Sequence, residues 1–309
     1  MKKIYLAGGC FWGMQGYFKR VLGVVNTTVG YANGNTSNTN YRALKETDHV
    51  ETLEIEYNQN LVRLEELLLR FFKLIDPLSL NKQGGDIGRQ YRTGIYYVDE
   101  NDVNIINKVY DFIENKIGEK LVVENEKLKE YILAEDYHQD YLDKNPDGYC
   151  HINLSSVYEP LFDKEYTKPE IEVLRSKLSN LEFEISQNSA TERPFSSEFE
   201  DHYEEGIYIN VVTGEPLFLS YDKFDAGCGW PSFTRPILTE TVNFYEDNSH
   251  GMNRIEVKSA KDLAHLGHVF TDGPKAKGSL RYCINGSILR FVPKDKLEEY
   301  GYKEYIVLF

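Results

Sequence analysis

Four cysteines occur in the 309 residues, Cys10, Cys150, Cys228 and Cys283, and none belongs to a CxxC pair. A chain this long can build its own core without a disulfide scaffold. What each thiol can do therefore depends on its neighbours. The usual fate of a free cysteine is to be an inert buried hydrophobe, but these four sit among Gly, Trp, Tyr, His and Asn. In Gly8-Gly9-Cys10-Phe11-Trp12-Gly13 the thiol stands where a strand gives way to a helix. Free N–H groups and the positive end of the helix dipole stabilise a thiolate there and lower its pKa. The paired glycines let the backbone turn closely. Phe11 and Trp12 offer an aromatic wall to an apolar substrate group, or else simply pack the start of a helix. Further along, Cys228 lies within Asp225–Phe233, His265-Leu266-Gly267-His268 follows, and Arg281-Tyr282-Cys283-Ile284-Asn285 completes a second set. Imidazoles titrate near neutral pH and a guanidinium stays charged, so this set could move a proton and steady a thiolate. His-x-x-His near cysteines also invites a zinc reading, and two histidines on a strand can be satisfied structural groups.

Two different scaffolds must hold these sets. Residues 1–155 alternate strands and helices. Lys3–Ala7, Glu51–Tyr57 and Thr93–Val98 read as strands and Cys10–Val21 as a helix. Leu64, Leu67, Leu68, Phe71, Phe72 and Ile75 form one helical stripe ending at Pro77, and Val103, Ile106, Tyr110, Ile113 and Ile117 form another. This pattern predicts an α/β (α+β) layered domain, a two-layer sandwich on a mixed sheet. Residues 156–193 form a linker in which Ile171, Leu174, Leu178, Leu181 and Ile185 predict a single amphipathic helix packed on one or both domains. Residues 194–309 are mainly β. Strands are expected at Gly206–Val212, Pro216–Ser220, Thr241–Tyr245, Arg254–Val257 and twice within Leu280–Val292, in two small antiparallel sheets. Asn285-Gly286 reads as a tight hairpin turn between the last two.

The net charge of −14 and the lack of any dense Lys/Arg block argue against nucleic acid or an anionic membrane as partner. The apolar run after Lys2-Lys3 is too short for a secretory signal, and no stretch approaches a membrane span. A cytoplasmic protein is expected.

Gly9-Cys10-Phe11-Trp12-Gly13 resembles the signature of A-type methionine sulfoxide reductases. The likeness continues through Gly30-Tyr31-Ala32, Tyr41-Arg42, His49-Val50-Glu51, Gly84–Arg92 and Ala134–Tyr149. It implies Cys10 as nucleophile, Glu51 as acid, Tyr41, Asp86 and Tyr91 as substrate-orienting groups, and Cys150 as the resolving cysteine. The blocks around Cys228, His265 and Cys283 resemble B-type methionine sulfoxide reductases. That likeness implies Cys283 as nucleophile and Cys228 as resolving cysteine. His265, His268 and Asn285 would hold and protonate the sulfoxide oxygen, Arg281 would steady the thiolate, and Trp230 would line a methyl pocket. Many B-type enzymes bind a structural zinc through two CxxC pairs. The matching positions here are Asn210, Thr213, Ser259 and Asp262, so neither that zinc nor any other cofactor is expected.

The resemblances together imply a fused enzyme acting on free or protein-bound methionine sulfoxide. The A-type half takes the S epimer, the B-type half takes the R epimer, and a thioredoxin-like dithiol re-reduces both. Two folds answer a stereochemical demand, since one rigid pocket cannot serve both hands of a chiral sulfur. Two competing readings use the same residues. A cysteine peroxidase or thiol relay would consume hydrogen peroxide without sulfoxide. A non-catalytic methionine-recognition module would still bind after Cys10 and Cys283 were changed to serine.

Overall fold

A computed structural model describes residues 1–309, the side chain of His250 excepted. The chain divides into two compact units, Met1–Leu161 and Phe162–Phe309.

In the first unit, β1 (Lys2–Gly8), β2 (Val24–Ala32), β3 (Val50–Tyr57), β6 (Thr93–Tyr97), β7 (Glu124–Lys127) and β8 (Tyr131–Leu133) form one sheet in the order β7-β6-β1-β3-β2-β8. Only β6 and β7 run parallel, so the sheet is mixed as expected. A small ribbon of β4 (Lys82–Gln83) and β5 (Asp86–Ile87) stands apart from it. The helices are α1 (Phe11–Phe18), α2 (Leu44–Thr47), α3 (Leu64–Leu74), α4 (Val103–Ile117) and α5 (Tyr141–Lys144). The side chains Leu64, Leu67, Leu68, Phe71 and Phe72 are buried on α3, as a 3.6-residue apolar stripe requires. Helix α4 stops at Gly118, whose φ of 80° is the left-handed C-terminal cap that glycine supplies without strain. At the start of α1 the backbone turns through Gly9 at φ +80°, and a Cβ on Gly8 would stand 2.6 Å from Met14 Sδ. The glycine pair is what lets strand β1 deliver Cys10 directly onto the helix.

In the second unit the linker segment contains two helices where one was expected, α6 (Ile171–Lys177) and α7 (Asn180–Asn188). The break has a local cause. Ser179 and Glu182 form a reciprocal capping box, with Ser179 N donating to Glu182 Oε2 at 2.6 Å and Glu182 N to Ser179 Oγ at 3.3 Å. This pair starts a new helix and turns Leu178 to extended backbone. Leu174 and Phe183 join the core of this unit with Tyr208, Phe218, Phe233 and Leu266; Phe218 and Phe233 stack at 4.4 Å.

The strands are β9 (Gly206–Asn210), β10 (Pro216–Leu219), β11 (Lys223–Phe224), β12 (Ser232–Phe233), β13 (Val242–Asp247), β14 (Arg254–Ser259), β15 (His265–Phe270), β16 (Arg281–Ile284) and β17 (Leu289–Pro293). They make two antiparallel sheets, β10-β9-β17 and β11-β12-β16-β15-β14-β13. The Asn285-Gly286 hairpin is not there. β16 and β17 lie in different sheets, joined by a 3-10 turn at Gly286–Ile288. Asn285 is buried with its side chain engaged at both ends (Glu192 N and Leu266 O), so it cannot serve as an open turn residue. Among the described residues no helix is long and apolar enough to cross a membrane.

Candidate active sites

Cys10 is the residue immediately before α1 and is only 5% exposed. The expected helix-end effect exists: the N–H groups of Trp12 and Gly13 act on the sulfur and favour the thiolate. Burial outweighs them, and with the negative charge of Glu51 it pushes the thiol up to about 12. The resting sulfur is therefore a thiol, contrary to the lowered pKa that its position suggested.

Glu51 lies on β3 opposite Tyr31 of β2 and is 2% exposed. Its Oε2 accepts the Phe11 N–H at 3.2 Å. Burial raises its carboxyl to about 8 despite that bond, so it holds its proton at neutral pH. A protonated Glu51 also removes a negative charge from beside Cys10. Tyr41 and Tyr91, each on a 3-10 turn, hydrogen-bond to one another. Burial raises both phenols, with Glu51 adding to the effect. Both remain proton donors.

Phe11 is fully buried against Tyr31, with ring centroids 6.0 Å apart. Trp12 stacks on Tyr141 at 3.8 Å and donates from Nε1 to His138 Nδ1 at 3.1 Å. Asp86, on the small ribbon, accepts from Tyr149 Oη at 3.3 Å and lies 3.4 Å from His151 Nδ1. Those two residues flank Cys150, whose Sγ sits 3.0 Å from where a Gly13 Cβ would be. Gly13 is thus the gap through which the second thiol reaches the first turn of α1.

At the second centre Cys283 is on β16, paired with Ser232 of β12 on one side and His268 of β15 on the other. Cys228 Sγ lies 3.8 Å from Cys283 Sγ and 3.5 Å from Ser232 Oγ; all four cysteines are free thiols. Burial and the neighbouring Cys228 push Cys283 up to about 12. Cys228 is held below its ordinary value, because Ser232, the Trp230 backbone, Cys283 and Arg281 together overcome its burial. Charge thus favours ionisation on Cys228, while the cavity belongs to Cys283. A pocket of about 120 Å³ is lined by Thr191, Trp230, Arg254, His268, Cys283 and Asn285, among others, and Cys228 is not part of its wall. The short sulfur–sulfur contact lets one proton serve both thiols.

Arg281 grips Asp272 with two bonds of 2.8 and 2.9 Å and stacks over Phe270. His265 Nδ1 pairs with Glu256 at 2.6 Å, leaving its buried Nε2 without a hydrogen-bond partner, and burial lowers its pKa. His268 Nε2 pairs with Asp247 at 2.7 Å. The two rings are 5.4 Å apart.

The positions where related domains carry zinc do not suit it here. Asn210 Nδ2 donates to both Asp262 oxygens at 3.2 Å, and Ser259 Oγ donates to Glu215 at 3.3 Å. These amide, hydroxyl and carboxyl groups satisfy one another and offer no thiolate.

Several site residues were given no role from sequence. Tyr31 donates to Glu135 at 2.6 Å, and Glu135 also accepts the Tyr41 N–H at 3.1 Å. His138 packs on Phe11 and Tyr41. All but His151 lie inside the segments that carry the A-type likeness, which was the available signal. Glu256 and Asp247, the histidines' partners, lacked even that. Each sits on a neighbouring strand (β14 and β13), and only the pairing registers bring them in.

The family model described as peptide methionine sulfoxide reductase matches residues 2–170, and that of the SelR domain matches residues 178–293. The chain belongs to the peptide methionine sulfoxide reductase family. It is a fused enzyme, an A-type reductase followed by a B-type reductase, and it reduces methionine sulfoxide. Among solved structures, the first unit is similar to reduced Mxr1 from Saccharomyces cerevisiae (38% identity, 48% of this chain and 88% of that one, TM-score 0.46). It is also similar to methionine sulfoxide reductase A of Corynebacterium diphtheriae (35% identity, 48% and 77%, TM-score 0.47). A third similar structure is Mxr1 in complex with Trx2 (27% identity, 45% and 84%, TM-score 0.34).

Proposed function

We propose that the domain at 1–155 reduces the S epimer of methionine sulfoxide, free or in proteins, and the domain at 194–309 reduces the R epimer, with 156–193 joining them. The observation that carries this reading is that each unit holds its own cysteine pair together with its own buried titratable group, Glu51 in one and His265 in the other. In the first, the Cys10 sulfur attacks the sulfoxide sulfur, Glu51 delivers a proton to the oxygen, and Tyr41 and Tyr91 hold that oxygen by their hydroxyls. Asp86 orients the remainder of the substrate. The hydroxyl passes from the substrate sulfur to the Cys10 sulfur as the transient bond between the two sulfurs breaks. The proton given up by the Cys10 thiol restores that of Glu51, methionine leaves, and Cys10 is left as a sulfenic acid. The Cys150 thiol then attacks it, water leaves, and a Cys10–Cys150 disulfide forms.

In the second centre Cys283 attacks, having passed its proton to the imidazoles. Arg281 steadies the thiolate, His265, His268 and Asn285 manage the oxygen, and Trp230 walls the methyl group. Cys228 closes the disulfide. A thioredoxin-like dithiol returns two electrons to each disulfide; Mxr1, similar to the first unit, is seen in complex with Trx2. The setting is cytoplasmic.

Single-epimer assays on the full chain test the assignment. Cys10→Ser is expected to lose S-epimer reduction and keep R, and Cys283→Ser the reverse. Loss of both activities in either variant sinks the two-centre reading.

A further inference from the structure

The segment entering the β-rich part of the second unit, Thr191-Glu192-Arg193-Pro194-Phe195, reads in the sequence as the end of a polar run. In the fold it is tied to both loops of the Cys283 centre. The backbone N–H of Glu192 donates to Asn285 Oδ1 at 3.0 Å, and Trp230 Nε1 donates to the Glu192 carbonyl at 3.2 Å. Two pocket-lining side chains from different loops thus end on one residue. Phe195 N donates to Gly229 O at 2.7 Å, next to Cys228.

What holds that residue is its own side chain. The Glu192 carboxylate, 3% exposed, accepts Gly286 N at 2.5 Å, Ser287 N at 2.8 Å and Ser287 Oγ at 2.5 Å. Three donors converge on one carboxylate at the turn directly after Asn285. The turn has no slack, since a Cβ on Gly286 would stand 1.7 Å from Ser197 Oγ. Asn285 is completed by its Nδ2 donating to Leu266 O at 3.1 Å, which fixes which end of its amide meets which partner.

We propose that Glu192 is a positioning residue of the Cys283 centre: its carboxylate pins the 286–287 turn so that its backbone can hold Asn285 and Trp230 in register around the pocket. Glu192 touches neither reacting sulfur nor substrate; it acts through those two side chains. The proposal rests on the R-epimer reading of this centre. It also extends the working part of the B-type centre upstream of residue 194.

The test uses the full chain with separate epimers. Glu192→Ala is expected to lower R-epimer kcat by about 10²-fold, the cost of displacing positioning groups by roughly 1 Å. Glu192→Gln retains one acceptor oxygen but meets one N–H with an NH2, and falls between Ala and the parent chain. S-epimer kcat and KM stay unchanged in both, which controls for folding of the first unit. The melting transition is followed alongside, as is the rate at which iodoacetamide alkylates Cys283 (scored by peptide mass). A positioning role leaves the alkylation rate as in the parent chain, because the thiol's own contacts are intact. R-epimer reduction kept within about twofold in Glu192→Ala overturns the proposal. So does a loss accompanied by an equal jump in Cys283 alkylation, which marks general loosening. If Glu192→Ala does not fold, Glu192→Gln is judged by the same two readouts. Retention of R-epimer activity by Cys283→Ser would instead strike the reading beneath, and the two failures are told apart by that variant.

Discussion

One sulfur chemistry is set on a helix in the first unit and on a sheet in the second. Cys10 heads a helix, and its proposed proton source is a carboxyl from a neighbouring strand whose acidity burial weakens, to about 8. Cys283 sits mid-strand, and the groups around it come from strands and turns on either side, with histidines braced by Glu256 and Asp247. The helix centre gains main-chain N–H groups aimed at sulfur, yet burial still wins. At the sheet centre it is the Arg281 guanidinium that favours the Cys283 thiolate, while burial and the neighbouring Cys228 work against it. What the two share is a neutral resting thiol; the buried groups beside them differ, Glu51 raised to about 8 and His265 held below the ordinary imidazole value. In neither does a standing thiolate wait for substrate.

The comparison breaks most visibly at the attacking sulfurs. Cys10→Ser and Cys283→Ser should each drop one epimer by at least roughly 10³-fold, measured as initial rates with dithiothreitol. Equal losses of both epimers would mean the centres are not separate. Next come the second thiols. Cys150→Ser should still form one methionine per S-epimer centre in a quenched single turnover, and Cys228→Ser one per R-epimer centre. Thioredoxin-coupled turnover of that epimer should fall to background, and an undiminished steady state would remove the resolving role.

The proton donors are the third place to press. Glu51→Gln should cost S-epimer kcat about 10²- to 10⁴-fold. In the parent chain the acid must carry its proton, so S-epimer activity falls as pH rises through about 8. The R-epimer profile should fall at lower pH, because burial holds His265 below the ordinary imidazole value. Coincident falling limbs would erase the distinction. Stability carries the same sign. The unfolded Glu51 ionises near 4.5 and the folded one near 8, so its burial costs the fold progressively across that window. Glu51→Gln should melt higher than the parent near pH 7.5, with the gap closing as pH falls toward 4.5. The smallest effect is expected from Tyr149→Phe, which removes one partly exposed hydrogen bond to Asp86. A change of roughly 2- to 10-fold in S-epimer KM is the scale of one such bond, with R-epimer kinetics as the unmoved reference.

Where burial followed a simple period, the fold could be read directly. Helix α4 and the stripe of α3 stand where their apolar steps put them. Strand β2 escaped because Val24–Thr28 is largely solvent-facing and only Val29–Ala32 is buried, so no alternation runs its length. The single linker helix failed for a different reason: its apolar steps continue through Leu178, but the Ser179–Glu182 cap overrides them locally. Asn285-Gly286 misled because turn chemistry is a local signal, and here a distant carboxylate, Glu192, had claimed the turn's N–H groups. The site divides the same way. Cysteines next to glycine and tryptophan announce themselves, whereas Glu256 and Asp247 matter only through strand register, which no single segment encodes.

The 3.8 Å between Cys228 and Cys283 sulfurs sets a clock as well as a geometry. A disulfide is about 2.05 Å long, so the pair closes with less than about 2 Å of travel. The sulfenic acid proposed at Cys283 would therefore be short-lived, and a second oxidant molecule would have little time to carry it to the irreversible sulfinic state. No such sulfur–sulfur contact joins Cys10 and Cys150 among the described residues; Cys150 packs on Gly13 instead, on a segment bonded to Asp86 through Tyr149. Under a peroxide challenge with sulfoxide turning over, over-oxidised Cys10 should accumulate ahead of over-oxidised Cys283 in peptide mass spectra. The two halves of one repair protein would then age at different rates, the S-epimer half first.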